Sequence, residues 1–320
     1  MSASPHILVL AGGVGGGKFV RGLVDVLPPG QMTVVVNTAD DFVHLGLHIC
    51  PDIDSVLYAM ADMNDPRRGW GLKDETWNFM DALERLGGET WFRLGDRDLA
   101  THTLRTRELA GGKTLSQVTA LLARRFGIEH AVVPMSDATV RTIVDTDEGP
   151  LAFQDYFVQR RCEPKFRGVT FQGADTAGPS AAFKSALERA DAIIITPSNP
   201  FVSIDPIRAV RGVEEALARF WKPVVAVSPI VGGQAVKGPL CKMLRERGAD
   251  PSPLAIAEHY GRLVTHWVID KADEAHRPAI AKLDRVVQVT DTVMRTLDDQ
   301  RRLARDAVEL ALQPVAELAG

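Results

Sequence analysis

An apolar strand, a glycine turn, a helix and a second apolar strand follow one another within the first 36 residues, and this succession narrows the fold more than any other feature. Residues 6–10, HILVL, form an unbroken apolar run ending at glycines, as expected of a parallel strand covered on both faces. Phe19, Val20, Leu23, Val24 and Leu27 then recur at helical spacing until Pro28-Pro29-Gly30 stops them, and residues 32–36, MTVVV, form the next strand. This is the grammar of a βαβ unit with a right-handed crossover. The turn stands at the carboxyl end of a strand and opens a helix, where backbone N–H groups and the helix dipole favour anions.

The turn itself is unusual. Gly12-x-x-x-x-Gly17-Lys18 has the spacing of a Walker A loop, but Phe19 stands where a metal-binding hydroxyl belongs. A dinucleotide fingerprint starting at Gly13-x-Gly15 would need glycine at 18, where Lys18 stands. Close helix–sheet packing alone asks for fewer glycines, so the reading is phosphate binding by Gly12, Gly13, Gly15, Gly16 and Lys18.

The same grammar returns late in the chain. DAIIIT (191–196) reads as a strand followed by the loop PSNPFVSIDP, then a helix around 208–220 and a strand at 222–228. HWVID (266–270) and RVVQV (285–289) predict further strands, and 294–312 an amphipathic helix. Residues 55–130 read as a mostly helical insert, and 140–172, with alternating stretches such as LAFQDYFV, as an antiparallel excursion. The prediction is an α/β fold: one Rossmann-like, doubly wound domain over 1–320 with inserted helical and antiparallel segments.

Composition excludes several classes. With 320 residues, 45% of them hydrophobic, and a net charge of −4 without a basic stripe, the chain does not suit a nucleic-acid backbone. Cys50, Cys162 and Cys241 are scattered and odd in number, which argues for a reducing cytoplasm and against both a disulfide framework and a zinc site. The first apolar run, Ile7 to Ala11, is too short for a signal peptide or a membrane span.

Four polar clusters fall in loops after strands, the edge where open α/β sheets bind ligands. Beside the glycine turn stands NTADDF (Asn37–Phe42), whose Asp40 and Asp41 are candidates for the metal ligand missing at Phe19, or for helix capping. In PDIDS, Asp52 or Asp54 reads as a helix cap. LGDRDLATH, preceded by Arg93 and containing Arg97, reads as a salt-bridged turn. In PSNP, Ser198 and Asn199 either hydrogen-bond a base or sugar or merely shape a rigid turn. His44, His48 and His102 suggest no metal constellation, and Trp70, Trp77 and Trp91 read as core, with stacking on a flat ring the second reading.

Taken in order, GGVGGGKF, VVNTADDF, ICPDIDSVLY, RGWGLKDETW, LGDRDLATH, VVPMSD, PSNPFVSIDPI and VAVSPIVGG give the chain a resemblance, over almost its whole length, to the 2-phospho-L-lactate transferase family of coenzyme F-420 biosynthesis. The resemblance implies a Rossmann-like core, a homodimer, Mg²⁺, and two substrates: the deazaflavin Fo and a three-carbon acid activated as a guanosine diphosphate. The terminal ribityl hydroxyl of Fo would attack the acid-bearing phosphorus and expel GMP. By carry-over, Asp40 and Asp54 are the metal ligands, and Asp54 and Arg93 lie at the Fo pocket, with Arg97 nearby. Asn37 and Thr38 join the substrate-binding set, and Ser198 and Asn199 the guanosine side. Lys18 neutralises charge, and either Asp41 or Asp54 helps deprotonate the hydroxyl.

The resemblance implies phosphoenolpyruvate, 2-phospholactate or 3-phosphoglycerate as the acid, and bacterial-looking motifs favour the first. A non-enzymatic alternative is a related group of UDP-sugar-binding regulators, which shares the glycine turn, an ADD-type loop and a proline-framed loop. WGLKDETW and LGDRDLATH favour the transferase. A nicotinamide-dependent dehydrogenase is weakened by the failed fingerprint.

Overall fold

The first βαβ unit forms as the sequence predicts: β1 (Ile7–Ala11), α1 (Gly13–Val26) and β2 (Met32–Val36), with β1 and β2 parallel. The computed structural model describes residues 4–235 and 238–313, so both ends of the predicted 1–320 domain lie outside the described residues. A short hairpin follows, β3 (Phe42–His44) and β4 (Leu47–Ile49), then α2 (Pro51–Met60), α3 (Asn78–Arg85), α4 (Asp96–Ala110), α5 (Leu115–Arg125) and β5 (Ala131–Pro134). An antiparallel group, β6 (Arg141–Thr146), β7 (Gly149–Ala152) and β8 (Phe166–Gln172), leads to α6 (Ala181–Arg189) and β9 (Ala192–Ile195). Next come α7 (Asp205–Ala209), α8 (Val213–Ala218), β10 (Val224–Val227), a hairpin of β11 (Ile230–Val231) and β12 (Gln234–Ala235), α9 (Leu240–Glu246) and α10 (Pro253–Tyr260). The described chain closes with β13 (His266–Asp270), α11 (Arg277–Ala281), β14 (Val286–Thr290) and α12 (Leu297–Leu312).

Seven strands pair in parallel in the order β14-β13-β10-β9-β1-β2-β5. From β1 the chain steps outward through β2 and β5, then returns to the other flank of β1 for β9, β10, β13 and β14. The order reverses between β1 and β9, and a crevice opens at the carboxyl ends of such a pair. Strand alternation builds a core on each face. Leu8 and Leu10 enter the layer shared with Phe183, Ile207, Leu244 and Ile256, whereas Ile7, Val9 and Ala11 enter the one formed by α1, α2, α5 and α12.

Three sequence expectations change in detail. The helix read as starting at Phe19 starts at Gly13, because the glycines lie in its first turns. The helix around 208–220 divides into α7 and α8 at a turn over 210–212. LAFQDYFV stops being a strand after Ala152: Asp155–Gln159 winds into a helical turn that buries Tyr156 and stacks Phe153 on Phe157 at 5.3 Å. Among the described residues, no helix is long and apolar enough to cross a membrane.

Candidate active site

Loops from the carboxyl ends of β1, β2 and β9 meet at the crevice. After β1, Gly13 takes φ +65° and α1 begins at once, so the Walker-like string lies in the first turns of a helix. Phe19 is accordingly a fully buried core residue. Packing, set aside in the sequence reading, accounts for three of the glycines. A Cβ on Gly15 would stand 2.8 Å from the carbonyl oxygen of Pro197, one on Gly16 2.7 Å from Ser198 Oγ, and one on Gly12 2.6 Å from Asp52 Oδ2. The backbone N–H groups of the first turn of α1 still point into the crevice end of the sheet, as at any helix start.

After β9, Ser198 Oγ donates to the Gly12 carbonyl at 2.6 Å, accepts from its N–H at 3.3 Å and lies 2.8 Å from Thr196 Oγ1. Asn199 Oδ1 accepts from Phe201 N at 3.0 Å. These bonds fit the rigid-turn reading of PSNP: Ser198 ties the β9 loop to the glycine turn, and Asn199 caps the segment that follows.

After β2, the Asn37 side chain organises the acids. Its Nδ2 donates to Asp40 Oδ2 at 3.1 Å, to Asp52 Oδ2 at 3.0 Å and to the Val202 carbonyl at 3.2 Å, while its Oδ1 accepts from Ala39 N. Asp40, Asp41 and Asp52 are all buried, and among the described residues none has a Lys or Arg ion-pair partner. Burial, with Asp52 beside it, pushes the Asp40 carboxyl well above its usual range. Burial lifts Asp52 to about 6 against the pull of hydrogen bonds from Asn37 and Gly13. Thr38 Oγ1, Asp40 Oδ1 and Asp41 Oδ1 are buried without a hydrogen-bond partner. Asp40 and Asp52, buried side by side without a Lys or Arg partner and with an open oxygen on Asp40, are a donor pair for a hard divalent cation, which repays the cost of burying them.

Asp54, carried over as a metal ligand, points elsewhere. Two residues beyond Asp52 on a helix is about 200° round its axis. Asp54 therefore meets α4, where the fully buried Arg105 grips both its oxygens and His102 Nδ1 lies 3.7 Å away. Burial raises the Asp54 carboxyl against the attraction of Arg105. His102 Nε2 continues to Asp98 at 3.2 Å, which also accepts from Tyr58 OH at 2.6 Å. Burial opposes ionisation of Asp98, yet His102 and Tyr58 hold its carboxyl below the usual range. LGDRD is thus no solvated salt-bridged turn. Asp96 caps α3 by accepting from Asn78 N and Phe79 N, and Asp98 is buried. The sequence reading missed Asp52 and Arg105; Asp98, His102 and Arg105 at i, i+4 and i+7 on one helix face were the available signal.

Lys18, in the second turn of α1, lines a small cleft with Val14, Ser55, Tyr58, Asn64 and Trp70, and has no hydrogen-bond or ion-pair partner among the described residues. The cleft leads to an aromatic patch: Trp70 meets Trp77 edge-on at 6.1 Å, and the guanidinium of Arg93 lies 4.9 Å over the Trp77 ring. Arg68 covers both rings. Trp70 is exposed, contrary to the core reading, whereas Trp77 is half-buried against the small cluster of Ile49, Met80 and Leu94; Trp91 packs with Phe42, His44 and Phe92. Arg97 is exposed, its backbone N–H bound to Glu75. A wider cavity of about 570 Å³ lies beside the edge strand β14, between Lys271, Arg277, Val287 and Leu310, with none of the acidic cluster in its lining.

The histidine and cysteine reading also changes. Asp41, His48 and Cys50, unremarkable in spacing, bring one ligand atom each within 4.8 Å of one another, because the β3–β4 hairpin folds residues 41 and 48–50 together.

Comparison with known proteins agrees with this architecture. A model of the family described as "2-phospho-L-lactate transferase CofD" matches residues 7–313. The 2-phospho-L-lactate transferase of Methanosarcina acetivorans is 38% identical over 304 residues, covering 95% of this chain and 98% of that protein. The phosphoenolpyruvate transferase of Streptomyces griseus is 39% identical over 312 residues, covering 96% and 98%. A crystal structure of a upf0052-family protein from Bacillus halodurans superposes with a TM-score of 0.65 over 97% of this chain and 100% of that one; at 16% identity this shows a shared fold.

Proposed function

The chain belongs to the 2-phospho-L-lactate transferase CofD family, and from that premise we propose that it transfers a phospho-three-carbon acid from a guanosine diphosphate donor to the terminal ribityl hydroxyl of the deazaflavin Fo, releasing GMP. The names of its relatives support 2-phospholactate or phosphoenolpyruvate as the acid, and 3-phosphoglycerate is the third candidate. The observation that carries the reading is the group of three buried carboxylates that have no Lys or Arg partner among the described residues, at the crevice where the strand order reverses.

Asp40 and Asp52 are the residues we assign to Mg²⁺, in place of Asp40 and Asp54, since Arg105 already occupies the Asp54 oxygens. When bound, the ion supplies positive charge to the diphosphate oxygens. Lys18 and the N-terminal amides of α1 bind phosphate from the protein side. Trp70, Trp77 and Arg93 offer the Fo ring stacking faces and a guanidinium. For the hydroxyl proton, Asp41 keeps a buried oxygen without a partner whereas Asp54 does not, so Asp41 is the acceptor we assign. Asn37 holds Asp40 and Asp52 side by side, and Thr38 keeps a free hydroxyl at the same loop. A homodimer in the cytoplasm completes the proposal.

The test is direct. Purified protein is incubated with Fo, Mg²⁺ and each of the three donors, and products are followed by mass. A phosphodiester of Fo with stoichiometric GMP is expected from one donor. No product from any donor, with tight binding of a UDP-sugar, would replace the transferase with the regulator.

A further inference from the structure

Asp41 leads into β3, His48 lies in β4, and Cys50 directly precedes α2. Their donor atoms gather within 4.8 Å of one another, with His48 Nε2 3.6 Å from Asp41 Oδ2. Four donors around one ion at zinc bond lengths stand about 3.3–3.8 Å apart, so small side-chain rotations close this trio on a single ion. The burial pattern points the same way. Asp41 is 3% exposed, and both its Oδ1 and His48 Nε2 are buried with no hydrogen-bond partner. The backbone of His48 is fixed by its N–H bond to Thr106 Oγ1 at 2.8 Å, so the ring is presented from a set position. Chemistry separates this trio from its neighbour Asp40. One thiolate, one imidazole and one carboxylate suit a borderline-soft ion, whereas Asp40 and Asp52 offer only oxygen, the preference of Mg²⁺.

We propose that Asp41, His48 and Cys50 form a binding site for a zinc-class divalent cation, distinct from the oxygen-ligand site at Asp40 and Asp52. Binding replaces the Cys50 S–H bond by a metal–sulfur bond and releases that proton to solvent, while the imidazole binds neutral and Asp41 as its carboxylate. Two negative ligands balance the charge of the ion. Three protein donors leave a fourth position for water, the pattern of open zinc sites. The site stands on the geometry of the trio and not on the transferase reading. Should that reading hold, an ion here occupies Asp41 and opposes transfer.

Cobalt titration of the full chain tests it. Metal-free protein with excess Mg²⁺ is titrated with Co²⁺ and watched for thiolate-to-cobalt charge transfer and tetrahedral ligand-field bands. One equivalent should saturate them, and Zn²⁺ should then erase them. Cys50→Ser should lose the charge-transfer band, and Cys162→Ser should keep it. His48→Gln, at a half-buried position where folding is safer, should weaken Co²⁺ binding by about tenfold or more. Absence of the bands in the wild type overturns the site, as does a charge-transfer band that survives Cys50→Ser, or unchanged affinity in folded His48→Gln.

Discussion

The side-chain amide of Asn37 lies 3.0 Å from Asp52 Oδ2 and 3.1 Å from Asp40 Oδ2, so one NH₂ group joins two buried carboxylates, one from the loop after β2 and one from the first turn of α2. Its two hydrogens face three acceptors, the Val202 carbonyl included. A single neutral side chain thereby ties the end of β2 to α2 and to the segment after β9. Asn37→Ala removes every one of these bonds and leaves the acids facing each other. The expected loss is about 1–3 kcal/mol of stability in the metal-free protein, read by urea denaturation. Unchanged stability would mean that water replaces the amide.

Asp52 gives a pH signature. Its carboxyl is lifted from 3.8 to about 6 in the folded protein, so the native state binds its proton more tightly than the unfolded chain does. Stability from this group is present below pH 3.8 and is lost as pH rises to about 6, a change on the order of 3 kcal/mol. Asp52→Asn should abolish that slope and raise the melting temperature of metal-free protein at pH 7. The same substitution should remove most Mg²⁺-dependent transfer. Melts in chelator at pH 4 and 7 decide the first point, and a Mg²⁺ titration of turnover the second. Asp40→Asn should likewise lose most activity while folding.

How much of this was legible follows from the kind of signal each residue carries. β1, β2, β9, β10 and β13 announce themselves as short, mostly apolar runs, because strands buried on both faces have few polar positions to break them. Asp40 was found because it follows such a strand. Asp52 was not, since PDID reads equally as a cap, and only the rotation of α2 decides which acid faces Asn37 and which faces Arg105. The β3–β4 hairpin is three residues a side, too short for periodicity, so the meeting of Asp41, His48 and Cys50 was invisible. The glycines carry two signals at once, because phosphate-binding turns and close backbone packing ask for the same residue.

That ambiguity can be resolved at Gly16. A Cβ there would press on Ser198 Oγ at 2.7 Å and Thr196 Oγ1 at 3.0 Å. Gly16→Ala should cost about 1–3 kcal/mol, the usual penalty of overpacking. Removing the hydroxyl with Ser198→Ala should relieve part of it, so the double mutant should be more stable than the sum of the single losses implies. Strict additivity would show that packing against Ser198 is not why residue 16 is glycine.

Phe19 tests the helix start from the other side. Phe19→Ser completes a Walker A string, yet residue 19 lies inside α1 and in the core with Val20 and Leu23. No GTP or ATP hydrolysis should appear, and the emptied volume should cost about 3–5 kcal/mol. New hydrolysis at an unchanged melting temperature would require a true phosphate loop.

Arg93 separates binding from stability more cleanly than any other position in the site. Its ion pair with Asp81 is 3.7 Å long, and both side chains are more than half exposed, so the pair should hold less than about 0.5 kcal/mol of stability. Its stack on Trp77 at 4.9 Å faces the patch assigned to Fo. Arg93→Ala should therefore melt like the wild type while binding Fo about 1–3 kcal/mol more weakly, the cost of one charge-assisted contact. GDP, bound through Lys18 and the start of α1, should keep its affinity. Fo fluorescence gives the first constant and calorimetry the second. Arg105→Ala is the contrasting case. It strips the buried partner from Asp54 and should cost about 3–5 kcal/mol of folding, weakening both ligands together through the fold. If Arg93→Ala behaves like Arg105→Ala, the guanidinium on Trp77 is structural and the Fo ring lies elsewhere. If it loses Fo alone, the path from Lys18 past Trp70 to Trp77 is where the deazaflavin binds.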